Sequence, residues 1–211
     1  MFLFLFIFLA SSAISFESGY EYVTCGSIIK LKHDQTKYNL HSHPVTYGSG
    51  SHQQSVTSNV RDDDPNSYWQ VQAAYNQTCR RGEPIKCNSL IRLFHVNTQK
   101  FLHSHRHKSP LTHRQEVSAY GSEENVNGDS GDNWEIKCKG SWKRESTIQL
   151  KHVDTGALLS SGRYTFPMDV VRGQNEVHCK FEDDLEVNWH SWFGVYFSSE
   201  EASAYYIHNE L

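Results

Sequence analysis

The chain is predicted to fold as an all-β protein: a β-trefoil of three pseudo-threefold repeats with about four strands each. Three observations predict this. One motif is written three times: "IIKLKHDQTKYNLHSH" from Ile28, "LIRLFHVNTQKFLHSH" from Leu90 and "TIQLKHVDTGALLSSG" from Thr147. Four landmarks keep their order in every copy, namely His33, His95 and His152, then Leu40, Leu102 and Leu159, then Val56, Val117 and Val177, then Trp69, Trp134 and Trp189. Each copy also reads as short alternating segments broken by turn residues. One copy cannot bury its own apolar face, so three must share a core. Closing them around a threefold axis gives a barrel capped by hairpins and removes most open sheet edges.

In the first copy "IIKLKH" alternates apolar and polar, as a half-buried strand does. "DQTK" carries turn chemistry. "YNLHSH" forms the second strand, and a Gly/Ser-rich loop, "PVTYGSGSHQ", leads to the strand centred on Val56. The strand at Trp69 closes the unit. "RHKSPLTHR" and "RYTFPMDVVRG" are the matching loops of the other copies. The repeats span residues 22–79, 85–140 and 141–197. Their tryptophans are expected to fill the core rather than to stack on a ligand.

The two ends read differently. Residues 1–15 are expected to be a secretory signal peptide. An apolar run over residues 2–10 precedes Ala13 and Ser15 at the −3 and −1 positions of a cleavage site. That run is too short to cross a bilayer, which takes about 20 apolar residues. The tail, residues 198–211, ends in His208, Asn209, Glu210 and Leu211, close to the endoplasmic reticulum retention signal, with Asn209 in place of the usual Asp. Five cysteines would then meet an oxidising compartment. Asn76 heads the sequon Asn76-Gln77-Thr78 and is a candidate for glycosylation. A formal charge of −4 gives no pull towards nucleic acid or acidic lipid, so neither nucleic-acid binding nor membrane insertion is expected.

"LHSH" occurs at residues 40–43 and again at 102–105, which suggests a metal site. The third copy has Ser160, Ser161 and Gly162 there, so a threefold site is excluded. His41, His43, His103, His105 and His107 have no Asp, Glu or Cys nearby at ligand spacing. No metal is expected. With Leu turned inward and its neighbours outward, these histidines, Ser42 and Ser104 are expected to bond loops of their own unit. Asp62, Asp63 and Asp64, and "GDSGD" at 128–132, read as solvated turns. No nucleophile elbow, phosphate loop or Cys-x-x-Cys pair is present, so no catalytic residue and no cofactor is expected. For partner binding the candidates are Tyr47, Gly48, Ser49, Gly50, Gln53 and Gln54. The glycines let a partner approach the backbone, and the amides both donate and accept.

"VTCGSIIKLKH", "NLHSH", "YGSGSHQQSVT", "NSYWQV", "RGEPIKCNSLIRLFHVNT", "FLHSH", "QEVSAYG" and "GDNWEI" together resemble the stromal cell-derived factor 2 family, whose members carry three MIR repeats. The resemblance covers about residues 22–196 and is strongest in the first two repeats. "CKFEDDLEVNWHSWFGVY" departs from it. The resemblance implies a non-catalytic protein of the endoplasmic reticulum lumen that acts in folding quality control. It implies as partners a J-domain co-chaperone, through it the chaperone BiP, and misfolded clients. The alternative is a lectin-like module that binds glycans, with Tyr47 and Tyr164 as candidate aromatics. The loops differ between repeats, which favours one protein-binding patch over a threefold sugar site.

The repeat register also pairs the cysteines. Cys25 and Cys87 stand just before the first strands of units one and two. Cys79 and Cys138 follow the closing strands of the same units. First and last strands of a trefoil unit lie side by side, so the expected bridges are Cys25–Cys79 and Cys87–Cys138. Cys179 has no counterpart and is expected to be a free thiol.

Overall fold

The structure, a computed structural model, describes residues 20–121, 127–171 and 173–198. The expected signal peptide and the terminal tetrapeptide lie outside the described residues. The first repeat supplies β1 (Ile28–His33), β2 (Asn39–Thr46), β3 (Gln54–Asn59) and β4 (Trp69–Ala73). The second supplies β5 (Leu90–His95), β6 (Lys100–Lys108), β7 (Gln115–Tyr120) and β8 (Trp134–Lys137). The third supplies β9 (Gln149–His152), β10 (Leu158–Thr165), β11 (Asn175–Lys180) and β12 (Trp189–Val195), with a single helical turn, α1 (Met168–Val171), between β10 and β11. A 3₁₀ turn precedes each closing strand, at Pro65–Ser67, Ser130–Asp132 and Leu185–Val187.

First and last strands form the barrel. β1 pairs with β4, β4 with β5, β5 with β8 and β8 with β9, all antiparallel. Ile148 and Trp189 exchange two backbone hydrogen bonds of 2.7 and 3.0 Å, and β12 pairs back onto β1. The ring is closed, so the barrel has no free edge. Middle strands form the hairpins β2–β3, β6–β7 and β10–β11. Their inner strands β3, β7 and β11 each pair with the other two. This is the β-trefoil.

The landmarks are the reason the three units meet. Leu40, Leu102, Leu159, Val56, Val117, Val177, Trp69, Trp134 and Trp189 are all fully buried in one cluster. A buried indole N–H needs an acceptor. Each finds the carbonyl of the landmark Leu in its own repeat: Trp69 to Leu40 at 3.0 Å, Trp134 to Leu102 at 2.9 Å and Trp189 to Leu159 at 3.0 Å. Each tryptophan gives on the order of 4–6 kcal/mol of gross apolar burial. The serine two residues after each landmark Leu, Ser42, Ser104 or Ser161, donates to the inner strand of its own hairpin at 2.8, 2.7 and 3.0 Å.

Disulfides join Cys25 to Cys79 and Cys87 to Cys138, with Cα atoms 6.1 and 5.1 Å apart. Each ties the entry of a repeat to the chain leaving its last strand. Cys179 is free and buried on β11. Asn76 sits exposed in a turn with φ of 58°, where an added glycan would meet solvent.

Candidate partner-binding surface

The two "LHSH" segments turn their first histidines inward and leave the second, His43 and His105, half-buried. His41 is buried and bonds Thr57 at 3.2 Å, and its Nε2 lies 3.4 Å from Asp64. His103 is buried too, with Nδ1 2.9 Å from Asp132. The expectation of outward neighbours fails because the hairpin caps cover the strand on both sides here: β3 is buried at every position. Asp132 corrects the reading of "GDSGD" as a solvated turn. It is fully buried and accepts the backbone N–H of Asp129, completing a capping box around the 3₁₀ turn. His103, Asp129 and Asp132 have ligand atoms near enough to one another to hold a cation. Their hydrogen-bonding capacity is already directed at the turn, which accounts for the cluster without an ion.

A serine, a glutamate and a histidine also meet. Ser51 Oγ donates to Glu116, and His105 Nε2 lies 2.8 Å from the same carboxylate. The carboxylate stands between hydroxyl and imidazole. A Ser-His-Glu triad needs the imidazole between the other two, and here it is the carboxylate, not the imidazole, that faces Ser51. Glu116 is a clamp. Burial pushes its carboxyl up, but His105 and Ser51 outweigh that and hold it below the usual range.

Two of the loop residues read as partner-binding are occupied by the fold. Tyr47 is only 6% exposed, and its hydroxyl lies 3.0 Å from the Val56 carbonyl and 2.9 Å from that of Val117. Burial raises its pKa far above normal. Gln54 is 5% exposed and donates to Ser42 at 2.8 Å and Thr98 at 2.7 Å. Its place two residues before Val56 matches Gln115 before Val117, and Gln115 donates to Ser104 and Thr155 in the same way. That recurrence is the sequence signal for a structural amide. Gly48, Ser49 and Gly50 remain exposed at the tip, and Gln53 is half-buried, accepting from Ser118. Tyr164 is half-buried against His178, with ring centroids 5.7 Å apart.

An exposed aromatic surface lies elsewhere, on β12. The β1–β12 register slips between Lys30 and Leu31: Lys30 faces Phe193, while Leu31 faces Ser191. Trp192 is the extra residue of this bulge, and the bulge reverses the inward–outward phase after it. Trp192 and Phe193 therefore lie together on the barrel wall, their rings 5.5 Å apart, with Tyr68 6.4 Å from Phe193. Gly194 takes the crowded position instead, where a Cβ would collide with the Ile28 carbonyl. Phe193 is 50% exposed and Val195 55%. Lys30 runs beneath, its ammonium 4.4 Å from the Tyr68 ring centre, and Lys32 lies 3.6 Å over Trp192. Asp62 pairs with Lys32 at 2.9 Å. The register-matched outward positions of β4 and β8 hold Gln72 and Lys137. Of the three closing strands, β12 alone has an aromatic at this register position.

A threefold β-barrel with hairpin caps, built on a repeated Leu–Val–Trp register, defines a MIR-type trefoil. The MIR domain family model matches residues 40–186. The human stromal cell-derived factor 2-like protein 1 is 42% identical over 199 residues, covering 92% of this chain and 87% of that protein. Human stromal cell-derived factor 2 is 44% identical over 182 residues, covering 85% and 84%. The crystal structure of the SDF2-like protein from Arabidopsis thaliana superposes with a TM-score of 0.80 at 40% identity, covering 84% of this chain and 98% of that one. The chain belongs to the stromal cell-derived factor 2 family.

Proposed function

We propose that this protein is a non-catalytic adaptor of the endoplasmic reticulum lumen, joining a J-domain co-chaperone, and through it BiP, to misfolded clients. The observation that carries the reading is the aromatic wall of Tyr68, Trp192 and Phe193. Large aromatic side chains at a surface are the usual anchors of protein–protein contacts, and this wall forms at one of the three repeat junctions, where Tyr68 of the first repeat meets Trp192 and Phe193 of the third. A sugar site repeated by the pseudo-symmetry would have aromatics at Gln72 and Lys137 as well. Two disulfides fit an oxidising secretory compartment, and the family's implied role supplies the partner class. His208, Asn209, Glu210 and Leu211 supply the address.

Pull-down from lumenal extract, with and without glycosidase treatment, tests the reading. Recovery of the J-domain protein and BiP is expected in both arms, and Phe193→Ser should lower it at least tenfold with an unchanged melting temperature. Recovery that vanishes with the glycans would replace the adaptor by a lectin. A chain ending after residue 207 should escape to the medium; equal retention would remove the tetrapeptide as the cause.

A further inference from the structure

The three hairpin junctions are not alike. At the first, Glu116 on β7 holds the loop of the first hairpin through the hydroxyl and N–H of Ser51. At the second, Glu176 on β11 holds the loop of the second hairpin through Leu111 N at 2.7 Å, Thr112 N at 3.1 Å and Thr112 Oγ1 at 2.6 Å. Both carboxylates are fully buried. The matching residue at the third junction is Ser55 on β3. Its hydroxyl donates to Val45 of its own hairpin at 2.9 Å. It therefore holds nothing of the third loop, which coils into α1 instead.

A cleft lies where the clamp is missing. One end is apolar, about 120 Å³, between Val45, Tyr47, Pro110, Phe166 and Val171, with Gly48 and Ser49 at its mouth. Val45 and Val171 also form the near wall of a larger polar end of about 380 Å³. His43, Asp64, Asn66 and Gln174 line that end. His43 uses Nδ1 towards His41, Asn66 uses its Oδ1 and Gln174 its Oε1, so three nitrogens, His43 Nε2, Asn66 Nδ2 and Gln174 Nε2, have no partner among the described residues. β2 leaves its ladder here: the register jumps from Ser42–Val56 to Thr46–Gln54.

We propose that this cleft binds an extended peptide segment, seating one aliphatic side chain in the apolar end and turning its backbone carbonyls to Asn66 and Gln174. The apolar end is lined by side chains that suit an aliphatic group. Side-chain amides match the peptide group in polarity, and an extended chain alternates side chains with backbone carbonyls, so one segment offers both kinds of group to adjoining apolar and polar ends. A polyol would use the donors and leave the apolar end empty. This inference rests on the adaptor reading and deepens it, since a misfolded client exposes such segments. The cleft shares no lining residue with the aromatic wall, although both border the loop of residues 60–68.

The test is fluorescence anisotropy of a fluorescein-labelled decapeptide of alternating Leu and Ser, titrated with the disulfide-bonded chain. Saturable binding is expected. Val45→Glu, at a rim position 42% exposed, should weaken it at least tenfold, and Val153→Glu, equally exposed at 41% but lining neither end of the cleft, should not. Methyl α-mannoside should not displace the peptide. No saturable binding, equal binding by Val45→Glu, or displacement by the sugar would each overturn the cleft as a peptide site. Co-chaperone capture by the same samples separates the two ideas: retained capture with failed peptide binding sinks the cleft alone.

Discussion

His95, the last residue of β5, lies against Trp69 of the preceding repeat with ring centroids 4.7 Å apart, and its Nε2 is 2.8 Å from the Asn66 carbonyl in the turn before that tryptophan. The relationship is threefold. His152 meets Trp134 at 5.0 Å and Gly131 at 2.9 Å, and His33 meets Trp189 at 4.8 Å and Glu186 at 3.0 Å. The other nitrogen bonds Thr98, Thr155 or Thr36 in its own turn. Each imidazole thus closes its own hairpin and fastens the unit before it.

Replacing any one of the three should cost similar amounts. His95→Ala leaves the part-buried Asn66 carbonyl without its donor and a gap against the buried Trp69, for a loss of about 2–4 kcal/mol in urea unfolding. His33→Ala and His152→Ala should fall within about 1 kcal/mol of it. A loss under about 0.5 kcal/mol at all three would show that the contact is incidental.

Acid should weaken the fold well before the carboxylates titrate. Burial, then the neighbouring His43, lowers the pKa of His41 to about 4, and burial lowers His33, His95 and His152 as well. Unfolded histidines titrate near 6.5. Between those values the unfolded chain binds more protons than the folded one, so stability is full above about pH 7 and falls as pH drops towards 4. For His41 alone the shift corresponds to about 3 kcal/mol. Urea midpoints at pH 7.5 and 5 measure it, and His41→Gln should flatten the slope. Equal midpoints would contradict the buried neutral state.

The Glu116 clamp depends on a glycine. Gly50 has φ of 68°, and a Cβ there would overlap the Glu116 carboxylate. Gly50→Ala should cost about 2 kcal/mol or more, from left-handed strain plus the displaced carboxylate. Gly48→Ala meets nothing within 4 Å and should be nearly neutral. Protease sensitivity of the first hairpin loop distinguishes the two.

Much of this architecture was legible because threefold repetition compares each position with two others. The Leu, Val, Trp and His landmarks read as core for that reason. The same comparison placed Cys25 beside Cys79 and Cys87 beside Cys138. What repetition did not disclose are the places where the copies diverge. Tyr47 corresponds to Ser109 and Phe166, which close their loops with the same backbone bond, and nothing in "TYGSGS" says that its hydroxyl turns inward to two carbonyls. The bulge that exposes Trp192 and Phe193 depends on a one-residue slip against β1, and local alternation would have put Phe193 inside. Asp132 looked solvated because Gly, Ser and Asp compose most turns, whereas its burial comes from His103 on a strand 29 residues away.

The cysteines give the last prediction. Cys179 is 1% exposed, and burial pushes its thiol up to about 12 despite Ser104 at 3.7 Å. The thiolate is the reactive form. At pH 8 a thiol with that pKa is ionised only to about one part in 10⁴, and steric burial lowers its reactivity further. Iodoacetamide should therefore label no cysteine in the native chain and one in urea, at Cys179. Reduction should then act on stability and not on this thiol. Each bridge closes a loop of more than 50 residues, and the chain-entropy estimate for such a loop is about 4 kcal/mol. Cys25→Ala with Cys79→Ala, and Cys87→Ala with Cys138→Ala, should each lower stability by roughly 2–4 kcal/mol. Cys179→Ala should cost less than either, because it removes only a small sulfur from the core. Native labelling of Cys179 at a rate near that of a free thiol would show that the cap opens around β11, and the closed arrangement of β3, β7 and β11 would then need revision.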